Sequence, residues 1–121
     1  VCSSDLQAGF RSPVAVSSAT HAAGSGVVRL QLDCGNMLMG GGDPMDFLSR
    51  HRAKCWSFHL KNVVPDRSRD TELDAGTFDL RAFLAAIPEL AKKPCFVEQE
   101  GASDELASAK QNLAFLKSLR W

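Results

Sequence analysis

The chain has 121 residues, 45% of them hydrophobic and 23% charged, the proportions of one ordinary globular domain rather than of a disordered chain. Its 14 basic and 14 acidic residues balance and are interspersed, which argues against a surface built for nucleic acid. No apolar run approaches the roughly 20 residues of a membrane span and no charged-then-apolar signal opens the chain, so a cytoplasmic location is expected and a membrane partner is not.

Val1-Cys2-Ser3-Ser4-Asp5-Leu6 resembles the translated end of a widely used sequencing adapter, and no initiator Met precedes it. This stretch is therefore set aside as an artefact. The segment from Gln7 to Gly26 is rich in Ser, Ala and Gly and contains Pro13, so residues 1–26 are expected to be artefactual or poorly ordered and the fold to occupy 27–121. A first strand is predicted from Val27 to Asp33, followed by a glycine-rich loop, Cys34 to Gly42. Asp43 is a good N-cap and Pro44 suits the first helical position, which predicts a short helix to about His51, with His51, Arg52 and Lys54 complementing its dipole.

A second strand, Cys55 to Lys61, precedes a charged segment from Asn62 to Gly76 that is too long for an ordinary strand-to-helix connection. Asp79 caps the next predicted helix, where Leu80, Phe83, Leu84 and Ile87 recur at helical spacing and read as packing residues. A third strand, Pro94 to Gln99, leads to a last helix capped by Ser103, along one side of which lie Leu106, Ala109, Leu113, Leu116 and Arg120. Strand and helix thus alternate three times, the order of a parallel α/β fold with right-handed crossovers. Cys2, Cys34, Cys55 and Cys95 are scattered without zinc or redox spacing and read as reduced, mostly buried thiols.

Asp33, His59 and Glu98 each sit at the carboxyl end of a predicted strand. If the strands are parallel neighbours, their spacing of about 4.8 Å brings these side chains together where α/β folds bind ligands. Alternation agrees, because Arg29, Gln31 and Asp33 share a face, as do Ser57, His59 and Lys61, and as do Phe96 and Glu98. Val28, Leu30 and Leu32, then Trp56, Phe58 and Leu60, then Cys95 and Val97 form the opposite, greasy face. One greasy and one polar face suggest barrel strands. Taken singly, each residue has a plainer role: Asp33 could hydrogen-bond the following turn, His59 could pack, and Glu98 and Lys61 could be solvated. His21 and His51 read as surface residues.

Leu32-Asp33, Gly41-Gly42-Asp43-Pro44, His59-Leu60-Lys61-Asn62, Gly76-Thr77-Phe78-Asp79 and Val97-Glu98-Gln99-Glu100 together resemble, in order and spacing, the carboxyl-terminal part of the sugar phosphate isomerase/epimerase family of xylose isomerase-like TIM barrels. The resemblance runs from about Val27 to Leu119. It implies an α/β fold, a partial TIM barrel made of the last three of eight βα units. It also implies that Asp33, His59 and Glu98 are three of four ligands of a divalent metal, that Glu98 doubles as a base, and that Lys61 reaches substrate oxygens. The family's remaining ligand is a glutamate on the preceding strand, and no Glu occurs between Gln7 and Gly26. Asn62 stands where the family often has an acid, and Asp74-Ala75 where it has Gly and a polar residue; either is expected to alter loop shape or specificity.

The function so implied is proton transfer beside a carbonyl of a sugar or sugar phosphate, with manganese, zinc, cobalt or iron at the site and magnesium less suited. The isolated fragment is expected to be inactive, and a homo-oligomer of the longer protein is open. Dehydratases and endonuclease-like hydrolases share the barrel, the latter needing a His-rich metal cluster that three His do not supply. The other class of function is a non-catalytic α/β binding module. Gly40 to Gly42 lacks the pattern of a phosphate-binding loop.

Overall fold

The structure, a computed structural model, describes residues 29–119, so the expectations for residues 1–26, including His21, and for Arg120 lie outside the described residues. Strands β1 (Leu30–Asp33), β2 (Cys55–Leu60) and β5 (Cys95–Val97) form a parallel sheet in the order β1-β2-β5. Two helices, α1 (Cys34–Met39) and α2 (Pro44–His51), connect β1 to β2. A two-stranded antiparallel pair, β3 (Asn62–Val63) and β4 (Asp70–Thr71), then leads to α3 (Leu80–Ala86), a 3-10 turn at Leu90–Lys92, β5 and the long α4 (Glu105–Ser118).

The helices begin where a side-chain oxygen can satisfy the free N–H groups of a first turn. Asp43 accepts from the backbone of Met45 and Asp46 at 2.8 and 3.2 Å, with Pro44 next to it. Asp79 accepts from Ala82 N at 2.9 Å and opens α3. The cap of α4 is Asp104 rather than Ser103, accepting from Ala107 N at 2.9 Å. The two residues cap comparably well, so local preference does not separate neighbours, and Gly101, φ +66°, turns the chain just ahead of them.

Cys34 to Met39 is a helix and not the expected loop, because Asp33 caps it by accepting from Asn36 N at 2.8 Å. Of the glycines there, Gly41 alone has a positive φ, +81°. The charged segment after β2 is likewise ordered as β3 and β4, with Asn62 paired to Thr71 and Val63 to Asp70.

The covered side of the sheet carries Leu32, Phe58 and Leu60, packed in one core with Phe47, Leu48, Leu80, Phe83, Leu84 and Ile87. Phe83 is fully buried and meets Phe58 edge-on at a centroid distance of 5.8 Å. Each such side chain contributes about 1.5–3 kcal/mol by leaving water. Strict alternation fails at one point. Leu30 pairs with Cys55 but Gln31 pairs with Ser57, so Trp56 is an extra residue in β2. Cys55 therefore falls into the core, while Trp56, expected beside Phe58, is 47% exposed under the Arg29 guanidinium.

The apolar side of α4 also differs from an ordinary packing stripe. Leu106 and Leu113 are 65% and 52% exposed, while Ser108 and Asn112 are buried. Asn112 turns inward because its Oδ1 accepts from Leu73 N at 2.7 Å and its Nδ2 donates to Gln99 at 3.1 Å. Phe96 and Val97 on β5 are half-exposed as well, Phe96 on the face that carries His59 and Val97 on the face towards α4, so β5 is open on both faces.

Asn62 knots the segment between β2 and α3. Its Nδ2 donates to the carbonyls of Leu73 and Phe78 at 2.8 and 2.9 Å, and its Oδ1 accepts from Val63 N and Phe78 N at 2.9 Å each. An acid at this position could not donate to both carbonyls. Gly76 closes over the amide so tightly that a Cβ there would lie 2.2 Å from Asn62 Cγ. Asn62→Asp is expected to cost about 2 kcal/mol, because the Leu73 carbonyl is left without a donor while the Phe78 carbonyl keeps Leu80 N. Gly76→Ala should also destabilise; a urea midpoint that either substitution leaves unchanged would show that this knot does not hold the segment.

Candidate functional site

Asp33 is the last residue of β1 and is the Cα partner of His59 on β2, while Glu98 follows β5 directly. Parallel pairing thus delivers all three to the carboxyl end of the sheet, and one ligand atom from each lies within 4.8 Å of the others. His59 Nδ1 is 2.5 Å from Glu98 Oε2 and 3.7 Å from Asp33 Oδ2. The imidazole also meets the Phe96 ring edge-on at 5.6 Å, which limits its rotation. The three residues that strand-end placement in the sequence expected to converge are brought together.

Asp33 is held from behind by Asn36, which donates from its backbone to Oδ1 and from its side chain to Oδ2, at 2.8 and 2.9 Å. Burial raises the Asp33 pKa, and the Asn36 N–H and the Lys61 ammonium oppose the rise without cancelling it. The turn-capping role and the place in the cluster are therefore filled by one side chain. A cap three residues before an Asn is a legible spacing, so Asn36 is a partner that the sequence could have disclosed.

Lys61 lies just past β2, with its side chain wholly buried. Its Nζ is 3.6 Å from Asp33 Oδ2, 3.5 Å from Glu98 Oε1 and 3.2 Å from Glu100 Oε1. Burial alone would lower the lysine pKa, but Asp33, Glu98 and Glu100 outweigh it and hold the pKa above its ordinary value. The ammonium is turned into the carboxylates. Gly35 makes room for it, since a Cβ there would sit 2.5 Å from Lys61 Cβ. Glu100 and Gly35 act here with no local pattern to announce them.

The loop after β5 is tied down by the β3–β4 pair. Buried Asp70 accepts from Glu100 N at 2.6 Å. Glu72 accepts from Ser108 Oγ at 2.6 Å, from Gln99 Nε2 at 3.2 Å and from Thr71 Oγ1 at 2.9 Å. A hollow lined by Leu73, Gly76, Phe78, Arg81, Gln111 and Phe115 lies between this region and α4, and none of Asp33, His59, Lys61 or Glu98 lines it. Cys34 and Cys55 are buried free thiols and Cys95 is exposed, so no cysteine joins the cluster among the described residues. His51 is half-buried against Phe47 and stands apart from it.

No protein-family model matches the chain, and no curated protein matches it. Solved structures do. A xylose isomerase domain protein from Planctomyces limnophilus aligns over 88% of the chain and 41% of its own length, with a TM-score of 0.69 and 22% identity. A sugar phosphate isomerase/epimerase from Parabacteroides distasonis aligns over 75% of the chain and 31% of its own length, with a TM-score of 0.58 and 20% identity. The chain therefore has the fold of part of a xylose isomerase-like TIM barrel, and it spans less than half the length of these proteins. They carry the family name that the sequence motifs resemble.

Hydrogen bonds from Ser108, from its own backbone, and from Gln99 and Thr71 hold the Glu72 pKa down from 4.5 to about 2. A depressed carboxylate stabilises the fold above its unfolded pKa, and that contribution is lost as pH falls from about 4.5 towards 2. Glu72→Gln is expected to lower stability at pH 7 and to flatten the loss across that acid range. Urea midpoints measured against pH check this; an unchanged slope would show that Glu72 does not carry it.

Proposed function

We propose that the chain is the carboxyl-terminal part of a divalent-metal-dependent isomerase or epimerase acting on a sugar or sugar phosphate. The observation that carries this reading is the convergence of Asp33, His59 and Glu98 within 4.8 Å at the carboxyl ends of three neighbouring parallel strands. Solved proteins with isomerase names sharing the fold support the class. A small-molecule sugar in the cytoplasm is the partner this reading takes, with neither nucleic acid nor membrane as ligand. No helix among the described residues is long and apolar enough to cross a membrane.

The donor set fits a divalent cation: one imidazole nitrogen and two carboxylates, a mixture suited to manganese, zinc, cobalt or iron and less so to magnesium. Three carboxylates, those of Asp33, Glu98 and Glu100, face the single ammonium of Lys61, so the cluster retains negative charge for a cation to meet. Asp33, His59 and Glu98 would hold it, and when bound it would polarise the substrate oxygens beside the exchanging proton.

The chain's own residues supply the remainder. Isomerisation moves a proton from the carbon beside a carbonyl and returns it to a neighbouring position, which needs a carboxylate within reach of that carbon. Glu98 is the candidate, because its side chain keeps 35% of its surface exposed while its Oε2 rests on His59 Nδ1. Protonation at the Glu98 carboxylate and its reversal is then the step assigned to this chain. Lys61, with no exposed side-chain surface, steadies this carboxylate from 3.5 Å and would meet substrate oxygens only by leaving it.

Isothermal titration with Mn²⁺, Co²⁺ and Zn²⁺ tests the site. Wild-type binding is expected to weaken at least about tenfold in Asp33→Asn, His59→Ala and Glu98→Gln, with circular dichroism unchanged. A non-catalytic module would show no divalent-metal binding that depends on these residues. In the intact barrel His59→Ala and Glu98→Ala should abolish isomerisation, and near-normal turnover in either would remove the assignment.

A further inference from the structure

Lys61 is an unusual occupant for the centre of an acidic cluster. Its side chain has no exposed surface, and its Nζ lies 3.2–3.6 Å from oxygens of three different carboxylates. Two of these, Asp33 and Glu98, are the acids that the proposed function assigns to a metal. The third, Glu100, lies outside that set.

Glu100 is held in a way that separates its main chain from its side chain. Its N–H is fixed by the buried Asp70 carboxylate at 2.6 Å, while its own side chain is 71% exposed. The anchored backbone keeps the carboxylate within reach of Lys61, and the exposed end is free to adjust. Along its stem, Lys61 lies against the bare backbone of Gly35, since a Cβ there would lie 2.5 Å from Lys61 Cβ and 3.0 Å from its Cδ. The path of the stem is therefore narrow, and the ammonium has little latitude other than to shift its weight among the three acids.

We propose that Lys61 is a built-in counter-ion of the site and that Glu100 is its alternative seat: the ammonium holds Asp33 and Glu98 together when no cation is bound, and leans on Glu100 when a divalent cation takes those two. This rests on the metal-site reading above. The charges are consistent with it. Three carboxylates and one ammonium leave two negative charges, which a divalent ion brings to neutrality with Lys61 still in place, provided the ammonium has a carboxylate of its own. Lys61 and Glu100 are then positioning residues that set metal affinity in opposite directions.

Metal affinity, read by calorimetry with Mn²⁺ and by the absorption spectrum of bound Co²⁺, tests the pair. Lys61→Met removes the competing cation and is expected to tighten binding by about tenfold, a fraction of the full interaction at this distance because relaxation and solvent screen it. Glu100→Gln removes the alternative seat and should weaken binding by about threefold to tenfold. In the Lys61→Met background the Glu100→Gln effect should largely vanish, because no ammonium remains to be seated.

A purely structural role for Lys61 would weaken binding when it is lost, so unchanged or weaker binding by folded Lys61→Met overturns the proposal. An equal Glu100→Gln effect in both backgrounds overturns it too, since Glu100 would then act only as a nearby charge. Should Lys61→Met fail to fold, Glu100→Gln decides alone, and unchanged affinity overturns the proposal. If the wild type binds neither ion, the metal-site reading falls and this inference with it; binding in the wild type that neither variant alters removes this inference and leaves that reading standing.

Discussion

β2 is hydrogen-bonded on both flanks, and its register decides which side chains meet. Asp33 stands opposite His59, His59 stands opposite Phe96, and Glu98 N bonds to Leu60 O at 3.4 Å. Because side chains alternate along a strand, a slip of one residue would turn His59 towards the core and bring Phe58 to the cluster. The packing of Phe58 and Leu60 against α3 holds that register, so the hydrophobic face and the polar cluster are two consequences of one alignment. The extra residue at Trp56 lies near the amino end of β2, where it shifts Cys55 into the core without disturbing the pairs that carry the site.

Order at the carboxyl end of the sheet comes from polar contacts more than from apolar packing. Asn62 bridges the segment between β2 and α3, Asp70 restrains Glu100, and Glu72 with Asn112 joins that segment to Gln99 and α4. Among the described residues, no buried side-chain nitrogen or oxygen lacks a partner. Such networks stabilise when complete and penalise any single loss, which suits a region that must hold several charges in fixed relation. The same arrangement explains the amphipathy of α4: its Ser108 and Asn112 face inward to this network, and Leu106 and Leu113 are left exposed, Leu113 lining a hollow with Val97. In proteins with this fold the chain corresponds to less than half of the length, and a slice of a barrel necessarily has walls that the slice does not cover.

The charge pattern has a corresponding logic. A buried lysine beside buried or half-buried acids is stable only if the set compensates itself. The carboxylates of Asp33, Glu98 and Glu100 keep Lys61 protonated despite burial, and burial in turn raises Asp33. The protonation of Asp33 and of Lys61 is thus set by their neighbours as much as by the residues themselves.

Local chemistry in the sequence was enough to determine two helix starts, one buried stripe and the faces of the clustered residues. Asp43-Pro44 and Asp79 marked helix starts, Leu80, Phe83, Leu84 and Ile87 marked a buried stripe, and alternation along the strands placed Asp33, His59 and Glu98 on compatible faces. These features depend on neighbours within a turn or two, so a one-dimensional pattern contains them. What the sequence left undecided depends on partners tens of residues away. That Lys61 would be buried against Glu100 rather than solvated, that Asn62 would need Gly76, and that Ser108 and Asn112 rather than the leucines of α4 would turn inward all follow from contacts between β2, the β3–β4 pair and the carboxyl-terminal helix. A buried polar group takes whichever partner the folded chain brings within hydrogen-bond reach, and only the tertiary structure decides which partner that is.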